Sequence, residues 1–136
     1  IQTRNPDNPM LQTLVKEGYS AFAEIAMADR KMADLPPFSF MALVRAEASA
    51  AQEAHAFLQQ VSEVLLAARG GRLDVMGPAP APMERLGGRY RAQLLLQSDR
   101  RSILNDSLAR LCTQIDQLPG ARRCRWSIDV DPVDLF

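Results

Sequence analysis

Gly87-Gly88-Arg89-Tyr90-Arg91-Ala92-Gln93-Leu94-Leu95-Leu96-Gln97 reads as a tight turn running straight into a strand. Paired glycines open backbone conformations closed to other residues and let a ligand approach closely. Two arginines then flank one tyrosine at the mouth of the strand, offering phosphate-binding forks and a stacking ring within five residues. The same pentapeptide also reads as a hairpin turn followed by solvated arginines.

Upstream of this turn, residues 73–76 form a short strand, and Gly77-Pro78-Ala79-Pro80-Ala81-Pro82 follows as an edge or an extended loop, because each proline removes a donor. Downstream, residues 99–118 have helical spacing with Leu104, Leu108, Leu111, Cys112 and Ile115 inward, stopped by Pro119-Gly120. Residues 123–130 are a last strand with Cys124, Trp126, Ile128 and Val130 on one face. Further upstream, residues 38–46 alternate as a strand. Ser49 is positioned to cap the next helix, with Gln52 completing a capping box. Ala54, Phe57, Leu58, Val61, Val64 and Leu65 give that helix its apolar stripe, and Gly70-Gly71 ends it.

The order is β-α-β-β-α-β, which predicts an α+β, ferredoxin-like fold: a four-stranded antiparallel sheet in the order 4-1-3-2, with both helices on one face. Alternation puts Phe40, Ala42, Val44, Tyr90, Ala92, Leu94, Leu96, Cys124, Trp126 and Ile128 under the helices. The open face then carries Arg45, Arg91 and Arg125 on three adjacent strands as a positive band, beside Met41, Leu43 and Leu95, which leave as an alternative that the N-terminal arm covers part of it. The first 37 residues hold a turn, Asn5-Pro6-Asp7-Asn8-Pro9, with Asn8 as a helix cap and Pro9 as first helical residue. Two short helices separated by Gly18 follow and end at Leu35-Pro36-Pro37, while Ile1-Gln2-Thr3 reads as the tail of a strand. This segment has too little apolar surface to fold alone and reads as a docking arm or the end of a preceding domain. The expected division is therefore 1–37 and 38–136.

Zero formal net charge hides an uneven distribution. Arg85, Arg89, Arg91, Arg100, Arg101, Arg110, Arg122, Arg123 and Arg125 crowd one region against Asp99, Asp106 and Asp116, a footprint suited to nucleic acid. With 47% apolar residues the chain is globular, and it holds neither an apolar run long enough for a membrane nor a signal-peptide pattern. Cys112 and Cys124 lack the further ligands of a zinc site, which points to a reduced, cytoplasmic protein. Catalytic machinery is not visible. The two Gly-Gly-Arg turns lack the lysine and hydroxyl of a nucleotide loop, His55 lies off its helix's apolar stripe, and Asp129, Asp131 and Asp134 read as a solvated terminus.

Several stretches together carry a resemblance: Leu11-Gln12, Gly18-Tyr19-x-Ala21-Phe22-Ala23-Glu24, Leu35-Pro36-Pro37, Val75-x-Gly77-Pro78, Gly87 to Arg91, and Trp126-x-x-Asp129-Val130-Asp131-Pro132. In this order they resemble the C-terminal part of the primosomal protein N′ (PriA) family of bacterial replication-restart, 3′-to-5′ DNA helicases. The resemblance implies the end of the second helicase lobe in residues 1–37 and a DNA- and partner-binding domain thereafter. ATP, Mg²⁺ and zinc belong to the parent helicase in that family, and none is expected in this chain. The implied partners are single-stranded and fork DNA, other primosome proteins, the preceding helicase lobe, and the acidic, phenylalanine-ended tail of the single-stranded DNA-binding protein, SSB.

For DNA the expected residues are Arg89, Tyr90, Arg91, Arg45 and Arg125. For the SSB tail, family positions on the second helix fall on Arg101 and Asn105, the latter one methylene shorter than the family's glutamine. A rival reading is a pure protein-interaction module that receives acidic tails without touching DNA. An acylphosphatase-like enzyme of the same fold class lacks a supporting arginine–asparagine motif.

Overall fold

The structure, a computed structural model, describes residues 2–67 and 72–133. The chain divides into two compact units, Ile1–Phe38 and Ser39–Phe136.

In the first unit, α1 (Pro9–Glu17) begins where Asn8 Oδ1 accepts from the backbone N–H groups of Met10 and Leu11, at 2.9 and 3.3 Å. These are two of the donors that a helix start leaves without an intrahelical acceptor. Gly18, at φ 89°, separates α1 from α2 (Tyr19–Met32). Neither helix has a fully buried residue. Gln2 and Thr3 lie in no strand, so no strand tail is seen there; Ile1 is outside the described residues.

The second unit holds β1 (Phe40–Ala48), α3 (Ala51–Ala67), β2 (Asp74–Leu86), β3 (Arg89–Ser98), α4 (Arg101–Gln114), a 3-10 turn (Ile115–Gln117) and β4 (Arg125–Val130). The strands form one antiparallel sheet in the order β2-β3-β1-β4, the expected order read from the opposite edge. Gly87 and Gly88 sit at φ 56° and 79° between paired Leu86 and Arg89, as a two-residue hairpin turn with both central residues left-handed demands. The proline-rich segment does not leave the sheet. It continues β2 as an edge strand whose register shifts after Met76 and after Pro80, where missing donors interrupt the ladder.

One core lies between the sheet and the two long helices. Ala42, Val44, Ala46, Ala48, Leu94 and Leu96 meet Phe57, Leu58, Val61, Leu104, Leu111 and Ile115, all fully buried, with Trp126 and Ile128 packed against them. The small alanines of β1 leave room for the large residues of α3. Gly120 lets the loop after α4 press on α3, since a Cβ there would stand 3.0 Å from Phe57.

Two expectations need correction. The Ser49 and Gln52 capping box does not form: α3 begins at Ala51, and the Ser49 hydroxyl donates to Glu53 at 3.1 Å instead. Cys112 is exposed, because Leu104, Leu108, Leu111 and Ile115 already fill the inward stripe, and position 112 turns about 100° past Leu111. Met41 and Leu43, on the open face with the arginines, are 2% and 1% exposed, so part of that face is covered, as its apolar residues led one to expect. The expected helix stop at Gly70-Gly71 lies outside the described residues.

Candidate nucleic-acid and peptide interface

Strand register sets the open face in rows. Glu47 on β1 stands opposite Arg91 on β3 and Arg125 on β4; in the next row Arg45 stands between Gln93 and Ser127; then Leu43 stands between Leu95 and Asp129. The three arginines of the expected band therefore do share one face and one end of the sheet. Carboxylates are interleaved among them. Arg91 Nε lies 3.1 Å from Glu47 Oε1, and Arg45 Nη1 donates to Asp129 Oδ2 at 2.8 Å. Arg125 is exposed at the β4 edge. The band is thus a lattice of alternating charge with a small positive excess.

Arg89 takes a different position from the one its motif suggests. Its Nη2 donates to the Glu47 carbonyl at 3.1 Å, and its Nε is buried without a hydrogen-bond partner among the described residues. It ties the start of β3 to the end of β1. Tyr90 points to the helix side by alternation, opposite Ala48, and Arg85 lies 5.2 Å from its ring centroid. The Gly87 to Arg91 stretch therefore divides its functional groups between both faces of the sheet.

A second cluster forms where α4 begins. Asp99 precedes the helix and Arg100 occupies the N-cap without a side-chain cap, so Arg101 is the first helical residue and no acid lies in the first turn. Ser98 Oγ accepts from the Arg100 N–H at 3.3 Å and donates to the Arg72 carbonyl at 2.9 Å. The Arg101 guanidinium lies 4.6 Å from the Phe40 ring centroid, and its Nη1 donates to Asp131 Oδ2 at 2.9 Å. Asn105 is exposed one turn further along α4. The resemblance pointed to Arg101 and Asn105, and the structure adds Phe40 and Asp131 as the groups that touch Arg101. The available signal was the register that brings the first residue of β1 and the residue after β4 to the same end of the sheet.

His55 is exposed, as expected, and lines a cleft of about 290 Å³ together with Ala51, Pro80, Glu84 and Arg91. Among the described residues no group of three His, Cys, Asp or Glu side chains converges to hold a metal ion. Burial first, then the charge of Glu53, pushes the Cys124 thiol up; Arg123 and Arg89 pull it the other way. Its Sγ donates to the Glu53 carbonyl at 3.6 Å, so it acts as a small core side chain. Among the described residues no helix is long and apolar enough to cross a membrane.

The family model for the primosomal protein N C-terminal domain matches residues 31–133. The chain is 38% identical over 135 residues to the replication restart protein PriA of Haemophilus influenzae, covering 99% of this chain and 18% of that protein. The PriA proteins of Buchnera aphidicola and Bacillus subtilis are 31% and 25% identical, each over 97% of this chain and over 19% and 16% of their own lengths. The chain therefore spans about a fifth of these curated relatives or less. Among solved structures, a de novo designed protein, Foldit4, matches with a TM-score of 0.52 at 7% identity over 71% of this chain and 99% of its own, a likeness of fold alone.

Proposed function

Because the chain belongs to the primosomal protein N C-terminal domain family, the domain of the replication restart protein PriA, we propose that it binds fork and single-stranded DNA on its open sheet face and an acidic protein tail at the start of α4. The observation that carries the DNA reading is the convergence of Arg45, Arg91 and Arg125 from three adjacent strands onto one end of one face. Phosphates exchange with the resident carboxylates there and release condensed counterions, so the binding is sequence-independent and salt-sensitive. Arg89 serves chiefly as a brace, and Tyr90, expected as a stacking ring, lies on the helix side against Arg85 and takes no part in binding on the open face. The chain itself performs no catalysis in this reading. ATP, Mg²⁺ and zinc act elsewhere in the parent helicase, in the bacterial cytoplasm, with SSB and other primosome proteins as partners. Residues 1–37 are read as the end of the second helicase lobe.

Arg91→Ala combined with Arg125→Ala tests this. Affinity for a fork oligonucleotide falls for every sequence alike, and the slope of log K against log salt flattens by about one unit for each phosphate no longer neutralised. Unchanged affinity and slope in the folded double variant remove this face from DNA binding.

The ion pairs at Arg45 and Arg91 favour a second reading, a protein-interaction module that does not touch DNA. Salt-insensitive or absent oligonucleotide binding, with tail binding retained, selects it. For the tail itself, Arg101 combines a guanidinium fork with the positive end of an uncapped helix, and Asn105 follows on the same face. Arg101→Ala lowers affinity for an acidic, phenylalanine-ended peptide at least about tenfold and leaves DNA binding largely intact.

A further inference from the structure

Asp131 belongs to the closing Asp129-Val130-Asp131-Pro132 stretch and, unlike Asp129, is used by neither binding reading, yet its carboxylate occupies Arg101. Its position is set by backbone. The Asp131 N–H donates to the Met41 carbonyl at 3.0 Å, continuing the β1–β4 ladder by one step, and its φ of 53° lies in the left-handed region. Aspartate and asparagine tolerate that region better than other non-glycine residues. The chain thereby delivers a carboxylate from beyond β4 to a helix start that has none of its own.

The ion pair does little for the fold. Arg101 and Asp131 side chains are 52% and 49% exposed, and a pair so open to water contributes little to stability. Its effect is on availability. The Phe40 ring centroid lies 4.6 Å from the guanidinium carbon, while Asp131 engages Nη1 and places a negative charge 2.9 Å from the cation. A peptide's terminal carboxylate is chemically the same group, and it meets Arg101 already satisfied and partly neutralised.

We propose that Asp131 is an internal competitor for Arg101, a resident carboxylate that an incoming acidic peptide must displace. It sets a threshold: single weak anions fail to dislodge it, whereas a tail with several acids and a free terminal carboxylate succeeds. This rests on the reading of Arg101 as the tail anchor.

The test is calorimetric titration of a synthetic acidic peptide, ending in phenylalanine with a free carboxylate, into the wild-type chain, Asp131→Asn, Arg101→Ala and the double variant. Asparagine keeps the left-handed backbone and the side-chain volume, so the exchange removes charge with little strain. Asp131→Asn binds about two- to fivefold more tightly at low salt, the gain shrinks as salt rises, and it vanishes when Arg101 is also alanine. Unchanged or weaker binding in Asp131→Asn overturns the proposal and makes Asp131 a positioning residue or a bystander. Equal peptide affinity in Arg101→Ala and wild type refutes the tail anchor instead. Competition is then read without peptide, from the NMR signal of Arg101 Nε–H during titration with inorganic phosphate. A larger response in Asp131→Asn than in wild type supports competition, and equal responses overturn it.

Discussion

The two faces of the sheet are built from alternate residues of the same strands, yet they follow different rules. Under the helices, Ala42, Val44, Ala46, Ala92, Leu94 and Leu96 form an apolar layer in which side-chain size decides the packing. On the other face, Leu43 and Met41 are as buried as any core residue, while Arg45, Glu47, Arg91 and Asp129 one or two steps along the strands pair by charge. The first face is specified residue by residue through hydrophobicity. The second depends on who stands opposite whom, a property of strand pairing rather than of any strand.

The largest effects break the first face. Phe57→Ala empties a fully buried site against Gly120 and costs about 3–5 kcal/mol, measured as a drop in urea midpoint at constant m-value. Leu43→Ala, on the opposite face, costs about 2–5 kcal/mol because it is equally buried. A cost under about 0.5 kcal/mol at Leu43 means the site is open to water in solution and returns the whole face to the solvated class.

Smaller effects sharpen the second face. Glu47→Gln removes the carboxylate between Arg91 and Arg125 and changes stability by about 1 kcal/mol or less, since both members of its ion pair are partly solvated. The same variant tightens oligonucleotide binding a few-fold at low salt, by freeing Arg91 and removing a repelling charge. If stability drops and binding does not rise, Glu47 is a structural partner and the arginines are not a DNA surface.

The smallest effect separates the two cysteines. Iodoacetamide modifies exposed Cys112 well before buried Cys124. Because the folded thiol pKa of Cys124 lies above its unfolded value, its contribution to stability is complete below the unfolded value, near about 8.5, and is lost as pH rises through the folded one. Cys124→Ala therefore flattens a shallow decline of stability above that pH, seen in thermal melts.

Element types, their order and the helix-facing residues were legible in the sequence. The 3.6- and 2-residue periods, the Asn8 cap, the Gly87-Gly88 turn and the proline stops are local, and local chemistry acts before any tertiary structure exists. The same patterns carried Arg45, Arg91 and Arg125 to one face, whereas Arg101 was marked only by the family resemblance. Tertiary structure alone decided what those arginines do: Glu47 reaches Arg91 from 44 positions away, Asp129 reaches Arg45 from 84, and Asp131 reaches Arg101 from 30. Charge in a sequence is a count, whereas the field at a guanidinium depends on distance, and a carboxylate at about 3 Å outweighs many arginines further off in water and salt.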